Sequence, residues 1–393
     1  MEENKKNKVP NVPNLRFKYS DNWQSVKLGN SCLFLKGKVI SKNDLSENGK
    51  ACILYGQLYT TYLSGIISNP ISKTDNKNPD LVLSKENDVI LPASGETPED
   101  ISTCACVLQS GIILGGDINI IRPLSDLSGR FLAFQLLGKR KLDIAKLAVG
   151  KSIVHIRNDQ LAKLIISFPS YDEQEKIANL ICLLNAKIET QNKIIEKYES
   201  LIKQLNDDLF SHDSNSKIGE HIQESSKRNK DGLITNVLSV SNKNGFVKQS
   251  EQFEDKELAS EDKTNYKIVQ KGDFAFNPAR INVGSIALLK NQEIGIVSPM
   301  YICFKAKNIP NEVLESFFSS SSFKKEMNKR LEGSVRMCLT IDGMKNIPFH
   351  KPNEKEIDTL NHLSKLKELV SLNKRILDLY NSQKSYLLSN LFI

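Results

Sequence analysis

Few residues in this sequence have the types and the spacing that catalysis or metal binding requires. Cys104 and Cys106 form a C-x-C pair, but no second pair or histidine cluster lies near in sequence to complete a zinc site. The five histidines show no ligand spacing, and His155 lies in an apolar run that predicts a core residue. The nearest match to the Asn-Pro-Pro-aromatic motif of adenine methyltransferases, FNPAR at 276–280, lacks the second proline and the aromatic residue. We therefore predict no catalytic residue and no metal site on this chain.

The composition bounds the class of protein. The chain has 393 residues, enough for two or three domains, and its 39% hydrophobic and 25% charged residues are typical of globular proteins. It lacks the glycine-rich loops that hold nucleotide phosphates, so no cofactor is predicted on it. No apolar run approaches the ~20 residues of a bilayer span, no signal-peptide core follows the basic N-terminus, and the seven cysteines favour reduced thiols. These features predict a cytoplasmic protein whose net charge of +8 permits a polyanionic partner.

The chain contains an internal repeat with an offset of roughly 182 residues, far longer than any solenoid period. The segment IIEKYESLIKQLNDDLF ends at Phe210, and ILDLYNSQKSYLLSNLF ends at Phe392. In each copy, short β-like runs punctuated by Gly, Asn, Asp and Pro precede short helices and then one long helix. The sequence therefore predicts an α+β fold with two copies of a sheet-cored domain, in which the aligned pairs include Asp88 with Asp273, Gly150 with Gly333, and Phe168 with Phe349.

The two long helices carry the spacing of a coiled coil. Apolar residues follow alternating steps of three and four from Ile181 to Leu209 and from Leu363 to Leu391, with Lys384 as a defect. Two such seams in one chain predict an antiparallel intramolecular coiled coil, although packing of each helix on its own domain stays open. The stripe is wider than a two-stranded seam, which predicts contact with a partner protein or docking of the two domains through Leu180, Ile194, Leu201, Leu369 and Ile376.

Several segments of the chain, in their order and duplication, match a known family. The first half contains DVILPASGETPEDI, GGDINIIRP and YDEQEKIANLICLLNAKI, and the second contains VLSVSNKNGFV, FNPARINVGSIAL and EGSVRMCLTIDGM. Together they resemble the specificity subunit of type I restriction-modification enzymes over nearly the whole chain. The opening of the second long helix, NEKEIDTL, departs from the DEQEKIANL that opens the first.

The resemblance implies a division of labour along the chain. Residues 1–168 would form the first target recognition domain, 169–213 the central long helix, 214–350 the second target recognition domain, and 351–393 the C-terminal long helix. The helices would form the antiparallel coiled coil that sets the gap between two halves of a bipartite DNA site. Two modification subunits would dock on the chain, bind S-adenosylmethionine and methylate an adenine flipped out of each half-site. Restriction subunits, where present, would add cleavage driven by ATP with Mg.

The DNA-contacting residues are predicted from the general chemistry of readout. Lysines neutralise phosphates, arginine binds guanine, and amides bind adenine. In the first domain we predict Lys36, Lys38 and Lys42 at phosphates, Tyr55, Gln57, Tyr59, Thr60 and Thr61 near bases, and Ser94 and Thr97 as second choices. In the second domain we predict Ser241, Asn242, Lys243, Arg280 and Asn282. Strand packing of the tyrosines and simple solvation of the lysines stay open as alternatives.

Two other functions stay open at this point. A free-standing DNA-binding regulator would use the same two domains, but it would not need Ile194, Leu201 and Ile376 exposed. A structural coiled-coil scaffold would show no salt-dependent binding to DNA, whereas phosphate neutralisation predicts an affinity that falls steeply with salt.

Overall fold

A computed structural model describes the fold over residues 12–18, 22–242, 244–249, 262–334 and 336–393. It forms two compact units: unit 1, Met1–Asn192 with Arg375–Ile393, and unit 2, Lys193–Lys374. Each long helix contributes a segment to both units, so this division does not decide the domain limits given above, which stay a prediction. None of the helices in the described ranges is long and apolar enough to cross a membrane.

Unit 1 is built from short strands and short helices. Its strands are β1 (Gln24–Lys27), β2 (Cys32–Lys36), β3 (Lys50–Ile53), β4 (Ile66–Ile67), β5 (Ser72–Thr74), β6 (Val82–Leu83), β7 (Val89–Pro92), β8 (Ser94–Gly95), β9 (Ala105–Val107), β10 (Ile113–Leu114), β11 (Ile118–Pro123), β12 (Val154–His155) and β13 (Ile165–Phe168). Its short helices are Leu28–Ser31, Gln57–Thr60, Pro98–Ile101, Gly129–Leu137, Lys141–Lys146 and Asn158–Leu161.

Unit 2 is also built from short strands and short helices. Its strands are β14 (Ser216–Lys217), β15 (Ile222–Ser225), β16 (Val237–Ser241), β17 (Gly245–Lys248), β18 (Lys267–Gln270), β19 (Asp273–Phe276), β20 (Ile286–Leu288), β21 (Ile294–Val297), β22 (Ile302–Ala306) and β23 (Pro348–Phe349). Its short helices are Asn311–Ser319, Ser321–Asn328 and Ile341–Lys345.

One sheet has the same topology in both units, and the other main sheet has one strand more in unit 1, β4, than in unit 2. One sheet has the order β5-β3-β10-β6 in unit 1 and β17-β16-β21-β18 in unit 2. In both, the two central strands are parallel and each outer strand is antiparallel to its neighbour. The other main sheet has the order β2-β11-β7-β9-β4 in unit 1 and β15-β22-β19-β20 in unit 2. The repeat seen in the sequence is therefore a repeat of strand order and strand direction.

Residues that the repeat aligns also have equivalent positions. Phe168 lies opposite Gln24 in the β1–β13 pair, and Phe349 lies opposite Ser216 in the β14–β23 pair. Gly150 and Gly333 have φ angles of 145° and 114°, a backbone conformation that residues other than glycine rarely adopt. A Cβ at either glycine would also collide with a nearby carbonyl oxygen, so both turns require glycine.

A buried carboxylate lies at the start of an equivalent strand in each unit, directly before β7 at Asp88 and as the first residue of β19 at Asp273. Asp88 accepts a hydrogen bond from the Lys85 backbone N–H at 2.8 Å, and Asp273 accepts one from Gln270 at 3.0 Å. Their cationic partners differ. Arg122 binds Asp88 with two nitrogens at 2.7 and 2.8 Å, whereas the ammonium of Lys305 lies 3.5 Å from Asp273. The carboxylates thus fix equivalent turns, but only the first forms a bidentate pair.

Two long helices complete the fold, the first at Tyr171–Leu209 and the second at Glu354–Asn390. An aromatic residue packs into a core directly after each helix. In unit 2, Phe210 lies 5.2 Å from Phe317 between ring centroids, and in unit 1, Phe392 lies 5.1 Å from Phe131. The pairing of Phe210 with Phe392 in the sequence repeat therefore corresponds to a structural equivalence.

The two helices pack against each other in opposite directions, as predicted. In unit 1, Cys182 faces Lys384 and the Lys187 ammonium lies 5.8 Å from the Tyr380 ring centroid. In unit 2, the ammonium of Lys374 lies 2.7 Å from the Glu199 carboxylate. Every residue of the predicted seams is buried or half-buried. The antiparallel heptad interpretation is therefore confirmed, and the alternative that each helix merely packs on its own domain is wrong.

The prediction that His155 lies in the core is wrong. Val154 and His155 form β12, and successive side chains of a strand point to opposite faces. Val154 is buried and His155 is exposed. The apolar run does form a strand, but because side chains alternate between its two faces, Val154 is buried and His155 points to solvent.

Candidate nucleic-acid interface

The three lysines predicted to contact phosphates lie on one exposed stretch of unit 1. Lys36 ends β2, Lys38 follows in the loop, and Lys42 begins the 3-10 helix Lys42–Asp44; all three are exposed. The loop is held by a hydrogen bond from the Lys38 N–H to the Leu114 carbonyl at 3.2 Å. No ion pair within the described ranges engages these three ammonium groups, so their charges are available to an anionic partner.

The segment from Tyr55 to Thr61 forms a helical turn in the same unit. The side chain of Gln57 holds the turn together, because its oxygen accepts from the Leu54 N–H at 2.9 Å and its nitrogen donates to the Ser72 hydroxyl at 2.6 Å. The Thr60 hydroxyl donates to the Gly56 carbonyl at 2.9 Å. Thr61 is exposed. Within this turn the amide of Gln57 therefore positions its neighbours, while the threonines lie at the surface.

Two tyrosines of this turn form an aromatic pair. The rings of Tyr55 and Tyr59 lie 6.4 Å apart between centroids. Partial burial raises the pKa of Tyr59, and the nearby Asp100 and Glu96 add to the shift. The phenol is therefore neutral and can both donate and accept a hydrogen bond at physiological pH.

The loop after β7, which carries the second-choice residues, neighbours Tyr59. Thr97 is exposed and caps the helix Pro98–Ile101, since its hydroxyl accepts from the Asp100 N–H at 3.1 Å. Ser94 belongs to β8, opposite His155, and only 6% of its surface is exposed. The structure thus brings Thr97 to the surface near Tyr59 and leaves Ser94 inside, and the readout role of both stays a prediction.

Two loops meet at the predicted site of unit 2. Asn242 follows β16, and a Cβ added at Gly284 would lie 3.5 Å from its Cβ. Arg280 and Asn282, which belong to the turn leading to Gly284, are exposed, as is Asn242. Ser241 is half-buried at the end of β16, and Lys243 lies outside the described residues. The DNA-contacting residues predicted from the sequence therefore lie on two loops that are neighbours in space.

A concave surface beside these loops contains residues that sequence reasoning missed. A cavity of about 360 Å³ is lined by Arg280 together with Arg336, Asn277 and Tyr301. The Tyr301 hydroxyl lies 3.2 Å from the Ser239 hydroxyl, which fixes the ring against β16. Arg336 lies in the GSVRM segment, far from Arg280 in sequence, so only the fold shows that two arginines border one cavity.

The residues predicted to bind partners lie along the long helices with different exposure. Leu180 and Ile376 in unit 1, and Ile194 in unit 2, are half-buried beside the seam, whereas Leu201 and Leu369 in unit 2 are exposed. The prediction missed apolar side chains on the same helices that are more exposed, namely Leu183, Leu379 and Tyr386 in unit 1 and Leu372 in unit 2. These residues do not follow the heptad spacing from which the prediction was made.

Comparisons with known proteins identify the family that this geometry matches. Residues 20–200 match the type I restriction modification DNA specificity domain. The type I restriction enzyme MjaVIII specificity subunit of Methanocaldococcus jannaschii is 23% identical over 391 residues, which covers 90% of this chain and 88% of that protein.

Solved structures show the same fold. The S subunit of a type I restriction-modification system from M. genitalium aligns with a TM-score of 0.62 at 17% identity, over 97% of this chain and 99% of that one. A chain from a study of complex assembly and conformational transition of the type I R-M system aligns with a TM-score of 0.55 at 15% identity, over 95% and 98%. The resemblance found in the sequence is therefore confirmed: residues 20–200 carry a type I restriction-modification DNA specificity domain, and the whole chain has the fold of a type I specificity subunit.

Proposed function

We propose that this chain is the DNA specificity subunit of a type I restriction-modification complex. The duplication of one sheet topology within a single chain carries this proposal. Two copies of a recognition domain match a DNA site with two halves, because half-sites on B-DNA recur about 34–36 Å apart, one helical turn, or at multiples of it. Each domain would read one half-site, and the paired long helices would set the gap between the halves.

The exposed side chains of each unit suit this task. The ammonium groups of Lys36, Lys38 and Lys42 would bind phosphates, which supplies affinity without sequence preference. In unit 2, Asn242, Asn282 and Arg280 carry the amide and guanidinium groups that read adenine and guanine in the major groove. Recognition would therefore combine a phosphate-binding loop with readout from loops held by a rigid sheet.

The long helices would also dock two modification subunits. Each unit exposes large apolar side chains on these helices, Leu379 in unit 1 and Leu372 in unit 2 among them. Exposed apolar residues grouped on one element are typical of a protein–protein interface. A regulator acting alone would gain nothing from this surface, so the exposure supports the subunit over the free-standing regulator.

The chemistry would belong to the partners. The modification subunits would bind S-adenosylmethionine and methylate an adenine flipped out of each half-site. Restriction subunits, where present, would use ATP and Mg to cut DNA. This chain would act without a catalytic residue or a cofactor of its own, by positioning those enzymes at a chosen sequence.

Mapping N6-methyladenine by single-molecule sequencing tests the proposal. The chain is co-expressed with the modification subunit encoded beside it, and host DNA is compared with that of a strain lacking this chain. We expect methylation at a split motif that disappears in the deletion strain. Unchanged methylation, with the partner present and active, would refute the proposal and favour the regulator or the scaffold.

A domain exchange tests the modular half-site reading. Replacing residues 214–350 with the corresponding domain of another specificity subunit should change one half of the methylated motif and leave the other half intact. The reciprocal exchange of residues 1–168 should change only the other half. A change in both halves after a single exchange would show that the domains do not read independently.

A further inference from the structure

Three potential metal ligands meet in unit 2, although they are distant in sequence. His212 follows the first long helix, His350 follows β23, and Glu356 lies in the first turn of the second long helix. One ligand atom from each lies within 4.8 Å of the others. The two imidazole rings stack with centroids 5.2 Å apart, and the Nε2 of His350 lies 3.1 Å from both carboxylate oxygens of Glu356.

Both hydrogen-bond partners of His350 offer lone pairs to its ring nitrogens. The Nδ1 of His350 lies 3.3 Å from the Asp213 carbonyl oxygen, and its Nε2 faces the Glu356 carboxylate. Both partners can only accept hydrogen bonds, whereas a neutral imidazole has one N–H to donate. If Nδ1–H binds the carbonyl, the lone pair of Nε2 points at a carboxylate. A metal ion between Nε2 and Glu356 would satisfy both lone pairs.

Unit 1 shows how an equivalent carboxylate is satisfied. Glu173 lies in the first turn of the first long helix, as Glu356 lies in the first turn of the second. Arg16 binds the Glu173 carboxylate with two nitrogens at 2.8 and 2.7 Å, which supplies a permanent positive charge. In unit 2 the Glu356 carboxylate faces the imidazole of His350 instead, and a ligand atom of His212 lies within 4.8 Å of both. A metal ion held by these side chains would supply the positive charge that Arg16 supplies in unit 1.

We propose that His212, His350 and Glu356 form a binding site for a divalent transition metal, with zinc as its ion. Two histidines and one glutamate are a donor set that zinc uses, with a fourth position left to water. A tetrahedral ion with bonds of about 2.0–2.1 Å places its ligand atoms roughly 3.4 Å apart. The Nε2 of His350 lies 3.1 Å from Glu356, near that value, and the ligand atom of His212 lies within 4.8 Å of both.

Neighbouring contacts orient the ligands as a metal site needs. The Asp213 carbonyl engages the Nδ1 of His350, which directs Nε2 toward the ion. The Asn353 N–H donates to Glu356 at 2.7 Å, which holds the carboxylate in place. Contacts of both kinds fix the orientation of metal-binding residues in other proteins. Bound zinc would tie the segment after the first long helix to the first turn of the second, within unit 2.

Calorimetric titration of the full chain with zinc tests this site. The protein is prepared without a polyhistidine tag and dialysed against EDTA before the titration. Two variants remove ligands, His212→Asn and Glu356→Gln. The matched control is His362→Asn, which changes an exposed histidine on the second long helix outside the cluster. Magnesium serves as the control ion, because it prefers oxygen ligands.

We expect one zinc ion per wild-type chain and a higher midpoint of thermal unfolding when zinc is present. Loss of one ligand should weaken zinc binding by about tenfold or more in both ligand variants, and H362N should bind as the wild type does. Because His212 is exposed, H212N should keep the far-UV circular dichroism spectrum of the folded chain. Zinc binding that is absent from the wild type, or equal in wild type and H212N, would overturn the proposal. This result does not depend on whether the chain recognises DNA.

Discussion

Replacing Asp88 with asparagine should destabilise unit 1 by about 3 kcal/mol. The Asp88 side chain is fully buried, and it forms two hydrogen bonds to a guanidinium that is only 20% exposed. Removing one partner of a buried ion pair costs about 3–5 kcal/mol, since the other charge stays buried without compensation. Because water can partly reach Arg122, the expected loss of stability lies at the lower end of this range. The amide oxygen of the new asparagine can still accept the hydrogen bond from the Lys85 N–H, so the turn keeps this contact.

The matched variant in unit 2 is Asp273→Asn. Lys305 is 48% exposed and lies 3.5 Å from Asp273, so it can turn to water when the carboxylate is lost. Although Asp273 is buried, the exposure of Lys305 brings the expected contribution of this pair down to about 1 kcal/mol, the upper end for pairs with access to water. The two substitutions are chemically identical and occupy equivalent turns, so their difference isolates the effect of the partner.

Urea unfolding followed by tryptophan fluorescence measures the first effect. Trp23, the one tryptophan of the chain, is buried in unit 1 and packs 5.6 Å from Phe131 between ring centroids. D88N should lower the midpoint of the fluorescence transition by roughly 1–1.5 M urea, for a slope of about 2–3 kcal/mol per molar. D273N should leave this transition in place and shift circular dichroism only slightly. Equal effects of the two variants, or a loss below about 1 kcal/mol in D88N, would refute the reasoning.

Three further changes test other contacts. Burial lowers the pKa of Lys384, so K384M should stabilise unit 1 at pH 7, and this gain in stability should shrink as pH rises toward the ordinary lysine pKa near 10.4. Trp23 fluorescence during urea unfolding measures the gain. A gain that does not change with pH would contradict burial of the charged ammonium as its cause. Burial also lowers the pKa of His221, so the stability that its neutral ring provides is complete above about pH 6.5 and is lost as pH falls below that value. In thermal melts, H221Q should lose less stability than the wild type as pH falls below about 6.5. The same pH dependence in both proteins would show that His221 is not the cause of the loss. In the assembled complex, R280A should weaken DNA binding about tenfold or more. The control K290A should not, because Lys290 is already paired with Glu315. Equal losses in the two variants would indicate that Arg280 acts through its positive charge and not through base readout.

The repeat and the coiled coil could be predicted from the sequence because both depend on periodic patterns. Alternating steps of three and four identify the buried side of a helix wherever the helix packs. Ile181 and Leu387 are buried as that pattern requires. Alignment of the halves likewise paired Phe168 with Phe349, since a strand in the same register needs the same large apolar side chain at its end.

The candidate DNA surface could be predicted only in part, because residue type does not decide which way a side chain points. Gln57 was selected as a base-reading amide, yet both ends of its side chain bind within unit 1. Ser94 was selected as a loop residue, yet it belongs to a strand that buries it. Arg336 was missed because its proximity to Arg280 arises from contacts between segments far apart in sequence.

The two halves differ in the side chain that faces the start of each long helix. The repeat places a carboxylate in the first turn both times, where the positive end of the helix dipole already favours a negative group. In unit 1 that carboxylate meets Arg16, a cation at every physiological pH. In unit 2 it meets His350, an imidazole that can hold a metal ion. The duplicated fold therefore has an arginine–glutamate pair at one helix start and the proposed zinc site at the other, so zinc should stabilise unit 2 and leave the contact between Arg16 and Glu173 unchanged.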